Sequence, residues 1–373
     1  MSDQVLQIGE RLNERVALQL AADLSLNDTT DDYCVDFSRT QHFEPFGMLL
    51  ASSAINRFRN RLSLSSRQLN IRCGDSDEEG LAAHMGFWQS IGIPLGRAVN
   101  AQAHSDSYLP ITRIGVDEIY RESGGLDPLA SGIIEQRAAQ LAIILARPRS
   151  ESLVDALTYS IRELIRNVLE HARTPAIWLA GMSWPKRNYV QVAVLDEGVG
   201  IRKSLATNAL FQYDTDALAL RAALQPGVSR NLGQQPTRQK LETWEEQRQA
   251  QPLQFFANAG YGLFMISSLC REAGQFLIAS GNSALAYVGS GEVSSATGHH
   301  GTALRLVIQP SEVKTAMDSI FSGNLARGPA GHRPMISPST LKRLGLDSLT
   351  GEGGPAMDEP QFDKNDPGPS TAS

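Results

Sequence analysis

Four short segments, in one order between Glu163 and Ile308, constrain this chain more than any other feature of it. They are ELIRNVLEHA (Glu163 to Ala172), LDEGVGI (Leu195 to Ile201), NAGYGLFMI (Asn258 to Ile266) and HHGTALRLVI (His299 to Ile308). In the run leading through the first, Leu153, Leu157, Ile161, Leu164, Ile165, Val168 and Leu169 recur at helical spacing and mark a buried stripe. Glu163, Asn167, Glu170 and His171 fall at i, i+4, i+7 and i+8, so they share a separate face. Turned toward a pocket, that face can offer a carboxylate to water and an amide oxygen to Mg²⁺, a cation that prefers oxygen ligands. Turned to solvent, it is the polar side of an ordinary amphipathic helix.

The other segments carry turns. NYVQVAVLDEGVGI alternates apolar and polar residues as a half-buried strand does, and stops at Asp196. A strand-end aspartate can accept a hydrogen bond from an exocyclic amine, while Gly198 and Gly200 let a planar base approach the backbone. A plain Asp-Gly turn has the same letters. Gly260 and Gly262 lead an apolar helix, whose first N–H groups and dipole suit a phosphate. The P-loop pattern GxxxxGK[ST] does not occur. Thr302 follows Gly301 where a strand begins, and reads equally as a turn residue or a β-branched strand residue. His171 can contact a phosphate or a lid, or cap its own helix.

Taken in order, the four segments resemble the GHKL superfamily of ATP-binding domains, which includes gyrase-type topoisomerases, large heat-shock chaperones, histidine kinases and mismatch-repair ATPases. The resemblance runs from about Ser150 to Gln309 and covers the N-box, both glycine boxes and the final Gly-Thr strand. It implies a Bergerat-type α/β sandwich with ATP held between helices and one sheet face. By resemblance, Asn167 holds Mg²⁺, Asp196 takes the adenine amine, and Gly198 and Gly200 line the base pocket. Gly260 and Gly262 hinge a lid over the phosphates, Thr302 supports the contact of Asp196 with the base, and His171 joins the cofactor-binding set. Glu163 matches the general base that activates water or a protein hydroxyl. ELIRNVLEHA is nearest in character to the anti-sigma-factor serine-kinase branch.

The rest of the chain frames that domain. With 373 residues, 42% hydrophobic and 20% charged, it can bury a sizeable core, and two α/β domains are expected. Residues 1–30 read as a polar lead, helical or partly disordered. Residues 31–126 alternate strands (YCVDFSR, RQLNIRCG) with helices (FGMLLASSAINRFRNRL, LAAHMGFWQSIG), the rhythm of an α/β layer domain. VDFSRTQHFEPFGMLLASSAIN resembles the core of STAS domains, the antagonists of anti-sigma kinases. Where that family carries a phosphorylated serine before a helix, this chain has Glu44, Pro45, Phe46 and Gly47, with no hydroxyl. The resemblance therefore implies a docking or regulatory module; an α/β domain without that kinship stays open. Residues 127–149 form a connecting helix closed by Pro148, and 150–310 the ATP-binding domain with a lid at 202–258. Residues 323–373, rich in Gly, Pro, Ser and Asp, are expected to be disordered.

Composition narrows function by exclusion. A net charge of −6 argues against nonspecific nucleic-acid binding. Cys34, Cys73 and Cys270 are scattered and read as buried free thiols, and His42 and His84 as structural. No signal-peptide core or membrane-length apolar run occurs, so a cytoplasmic location is expected. No histidine lies in the His-Glu-x-x-x-Pro setting of a sensor kinase, and little chain follows the ATP domain for a topoisomerase or chaperone transducer. The expectation is a regulatory protein that uses Mg-ATP binding or hydrolysis as a switch for a protein partner, with a homodimer left open. The alternative is a serine/threonine kinase acting on a separate antagonist.

Overall fold

All four residues of Tyr33–Asp36 are buried, as suits a strand with a neighbour on each side. The computed structural model describes residues 4–74, 80–100, 107–124, 126–128, 132–146, 150–226, 228–229 and 262–322. In it this strand, β3, lies between β1 (Gln4–Gln7) and β5 (Leu69–Arg72) and is parallel to both. A two-residue parallel ladder of β2 (Arg11–Leu12) and β4 (His42–Phe43) lies apart from that sheet. The crossovers are helices α1 (Glu14–Leu26) and α2 (Pro45–Leu64). Asn13 starts α1 by accepting the Val16 N–H at 3.1 Å. Two single-turn helices, α3 (Leu81–His84) and α4 (Phe87–Ser90), follow, and Phe87 and Trp88 pack against Phe37 and Phe43.

The second sheet is antiparallel, in the order β6 (Tyr108–Gly115), β7 (Ala176–Trp184), β8 (Tyr189–Asp196), β10 (Gly291–Ile308), β9 (Gly274–Val288). After β6 come α5 (Val116–Glu122), α6 (Ile133–Leu145) and α7 (Glu151–Asn167). Two short helices, α8 (Ile201–Leu205) and α9 (Asp216–Ala223), follow β8, while α10 (Gly262–Ala273) and α11 (Val313–Ser322) flank the β9–β10 hairpin. Alternation along β8 separates two cores. Val190, Val192 and Val194 face α6, α7, α10 and α11, whereas Ala193 and Leu195 face α1 and α2. Alanines 180, 193, 279, 284 and 303 keep the second face shallow, so α1 and α2 lie close against it. The result is a mixed α/β structure in which the α1–α2 layer is shared by the two sheets.

Several expected boundaries move. Tyr108–Gly115, placed before residue 126, is an edge strand of the five-stranded sheet, because its partner is Ala176–Trp184. The expected polar lead is, from residue 4 on, part of the fold, and Leu18, Leu20, Ala21 and Leu24 of α1 are core residues. The connecting helix of 127–149 is a core helix, with Ala138, Ala142 and Leu145 packed into the same cluster as Leu157 and Ile161. The start of the expected lid, 202–226, holds α8 and α9, and residues 230–258 and the tail 323–373 lie outside the described residues. The strand expected to begin at Thr302 begins at Gly291, with irregular register between His299 and Thr302. Gly47 is not a turn residue but the third residue of α2, where a side chain would collide with the Leu12 carbonyl.

A polar node ties the layers. Glu44 begins α2 without a side-chain cap of its own. Gln191 of β8, buried, accepts the Phe46 N–H at 3.1 Å and donates to Glu44 at 3.2 Å. Arg305 of β10 reaches Gln275 at 3.0 Å, Glu14 at 3.6 Å and Glu44 at 3.8 Å. A helix N-terminus is thus completed by a strand far away in sequence. Cys34 and Cys270 are buried, Cys73 only half-buried, and none is in a disulfide. Among the described residues, no helix is long and apolar enough to cross a membrane.

Candidate functional site

The strongly amphipathic α7 buries Leu153, Leu157, Ile161, Leu164 and Ile165 and turns its polar stripe along a cleft at the end of β8. Glu163 is 5% exposed, and its Oε1 accepts from Arg162 at 2.9 and 3.2 Å. Arg162 is held in turn by Glu135 at 3.0 Å. One turn on is Asn167, whose Nδ2 is shielded from solvent and makes no hydrogen bond among the described residues. The helix then widens into a π turn over Val168–Ala172, ended by Arg173 at φ 55°. Such turns often mark functional sites because they re-aim side chains.

The turn after β8 is built by close approach. Val199 N–H donates to the Ala172 carbonyl at 2.8 Å, and a side chain at Gly198 would overlap that same carbonyl. Gly200 takes φ +77°, a conformation that favours glycine. Ser280 holds it: its hydroxyl donates to the Gly301 carbonyl at 2.6 Å and accepts the Ile201 N–H at 3.0 Å. Gly301, at φ +108°, lies against the Asp196 carbonyl, where a side chain would collide.

Asp196 sits at the focus of these turns. It is 3% exposed, and burial pushes its carboxyl up to about 6, against the lowering effect of hydrogen bonds from the Gly198 N–H at 2.8 Å and from the Thr302 backbone and hydroxyl. Thr302 is its direct ladder partner. Behind it, His299 Nε2 donates to the Asp196 carbonyl at 3.0 Å. Burial pushes that imidazole down to about 4, so it is a neutral donor at pH 7.

The cleft between these parts takes in about 920 Å³, the open solvent at its mouth included. It gathers Glu163, Asn167, His171, Asp196, Gly200, Gly262 and Thr302. Gly262 opens α10 with its Cα toward Glu163, where an added Cβ would stand 2.8 Å from Oε2. Gly198 is not a lining residue; its role is packing against Ala172. Gly260 lies outside the described residues. The walls are apolar, from Val168, Ile201, Leu205, Leu263 and Leu304.

Reading the sequence missed Arg166, Ser280 and His299. Arg166 lines the cleft and pairs with Glu170 at 3.5 Å, and Glu170 is 3.8 Å from His171. Its i+3 spacing from Glu163 puts it on the same helical face, so periodicity could have found it. Ser280 and His299 act through the fold and left no local signal.

A nucleotide with Mg²⁺ fits this donor set. A carboxylate buried in the cleft accepts an amine, apolar walls suit a base, and a shielded amide in want of a partner suits a bound ion or water. Either amide atom of Asn167 can be turned to the cleft. No group of three or more His, Cys, Asp or Glu able to hold a metal occurs among the described residues. A magnesium ion would therefore rest on Asn167, water and phosphate. No protein-family model matches the chain, and no curated protein is similar to it in sequence.

Proposed function

We propose that this chain binds Mg-ATP in the cleft and uses ATP binding or hydrolysis as a cytoplasmic switch for a protein partner. The observation that carries this reading is Asp196: a buried carboxylate, held by the Gly198 N–H opposite Thr302 and left lining an apolar-walled cleft. In this reading the pocket is GHKL-like, and Asp196 takes the adenine amine, with Gly200 letting the base approach. Asn167 holds Mg²⁺, which would neutralise charge on the phosphates. Backbone N–H groups at the start of α10 receive phosphate oxygens, and the first turn of that helix carries no acidic residue to repel them.

Glu163 is the candidate for orienting and deprotonating the attacking hydroxyl or water. Arg162 fixes its carboxylate, so the group is preorganised before substrate arrives. The N-terminal layer, by its STAS-like resemblance, would be the docking or regulatory part. Calorimetry with ATP and Mg²⁺, then incubation with γ-labelled ATP with and without cell lysate, tests the proposal. Binding with free labelled phosphate supports an ATPase switch, binding with label left in ATP supports a binding switch, and labelled protein supports the kinase alternative. An absence of ATP binding at millimolar nucleotide overturns the reading.

A further inference from the structure

Helix α2 is packed between two sheets, yet one side of it is polar for two turns. Ser53, Asn56, Arg57 and Asn60 follow at i, i+3, i+4 and i+7. A polar stripe on a core helix is unfavourable unless it is solvated or engaged. Here it walls a second groove of about 920 Å³ including its open mouth. The groove lies across the five-stranded sheet from the cleft, because Leu195 and Glu197 point opposite to Val194 and Asp196 along β8 and the turn after it.

Its floor is apolar, from Ile111 and Leu195, and Trp178 stands half-buried in the opposite wall. Ser53, buried, donates to Glu197 at 2.7 Å and fixes that carboxylate in the groove. Arg57 and His300 are exposed and make no hydrogen bond or ion pair among the described residues. Arg57 and Glu197 therefore line one groove with opposite charges that attract one another without a hydrogen-bonded ion pair. An apolar floor with a few convergent polar groups is the usual make-up of a small-molecule site.

We propose that this groove is a second ligand site, and that it takes a planar, ring-bearing molecule with one acidic group, of the size and chemistry of a nucleoside monophosphate. Trp178 offers its indole face for stacking, and Glu197 accepts from a ring amine. Arg57 and His300 receive the phosphate, with Asn60 and Ser53 beside the sugar. One guanidinium and one imidazole facing one carboxylate match a single phosphate, not a triphosphate.

The test is calorimetric titration of the full chain with GMP, CMP and UMP, which lack the adenine that the first cleft is proposed to take. At least one binds with Kd below about 1 mM. Its affinity falls at least about tenfold in Arg57→Ala and in Trp178→Leu, recovers in part in Arg57→Lys, and holds within about twofold in Asp196→Asn, where the first cleft is altered. Unchanged melting of Arg57→Ala, an exposed position, shows that the loss is not unfolding. Binding by none of the three, affinity independent of Arg57, or loss in Asp196→Asn overturns the proposal. Failure of ATP to bind the first cleft would leave these outcomes untouched.

Discussion

Thr302 stands directly opposite Asp196 in the ladder between β10 and β8, and its backbone and hydroxyl act to lower the pKa that burial raises in the Asp196 carboxyl. Sheet register thereby places the group that the proposed site would offer to a base, while His299 fixes the carbonyl behind it. The aspartate is held in place before any ligand arrives, at the cost of burying an ionisable group.

That burial has a pH signature. The Asp196 pKa rises from an unfolded value of about 3.9 to about 6 in the folded protein. The native state therefore holds the extra proton between these values. Stability from this site is fully present below about pH 4 and is lost as pH rises through 6, by on the order of 3 kcal/mol. Asp196→Asn should remove this dependence, so that its stability relative to wild type is greater at pH 7.5 than at pH 4.5 in urea titrations. The same variant should weaken adenosine binding at pH 7.5 by about a hundredfold, on the scale of a lost hydrogen bond to a charged acceptor. Equal pH profiles for the two proteins would contradict the assignment.

Asn167 and Glu163 separate binding from turnover. Asn167→Ala should weaken Mg-ATP by tenfold or more while adenosine binds as before, since in the proposed site the amide would serve the metal and not the base. Glu163→Gln should keep Mg-ATP affinity within about threefold and abolish release or transfer of the γ-phosphate, if the wild type shows either. Calorimetry with and without EDTA, followed by the labelled-ATP assay, reads both. Mg-ATP affinity unchanged in Asn167→Ala would remove the metal assignment.

Glycines give a steric test. Gly198→Ala drives a methyl into the Ala172 carbonyl, and Gly301→Ala drives one into the Asp196 carbonyl at a φ of +108°. Each should cost about 3 kcal/mol or more, because the obstacle is backbone and cannot swing aside. Gly9→Ala has open space and no positive φ, and should fall within about 0.5 kcal/mol of wild type. Chemical denaturation midpoints of the three variants decide the matter.

Particular residues show how much of this was legible in the sequence. Glu163, Asn167 and His171 were readable because helical periodicity puts them on one face, and Asp196 because strand alternation ends there. Arg166 obeys the same periodicity but lies outside the set of residues that the resemblance names. Gly198 and Gly301 were visible as glycines, but which carbonyl each lies against depends on how the β8 turn meets Ala172 and β10. The boundary at residue 126 failed for a general reason. A strand such as Tyr108–Gly115 carries no mark of its partner in its own residues, and its partner begins at Ala176. The run of alanines on β7, β8, β9 and β10 was the available clue that a helical layer presses on that face.

The shared layer yields the last prediction. Among the described residues, Leu195, Leu277 and the alanine face of the five-stranded sheet are covered by residues N-terminal to 127, chiefly from α1 and α2. A fragment beginning at residue 127 would lose β6 as well, leaving β7 as a bare edge. It should therefore bind a hydrophobic dye and unfold without cooperativity, whereas the full chain unfolds in one transition seen equally by far-UV and near-UV circular dichroism. The junction can be probed in the intact chain too. Gln191→Leu strips the Phe46 N–H of its acceptor and Glu44 of its donor. It should cost about 2 kcal/mol, the price of a buried group left unpaired, and move both spectral transitions together. Two separate transitions in the full chain, with only the second preserved in the fragment, would restore independent domains and the boundary near residue 126.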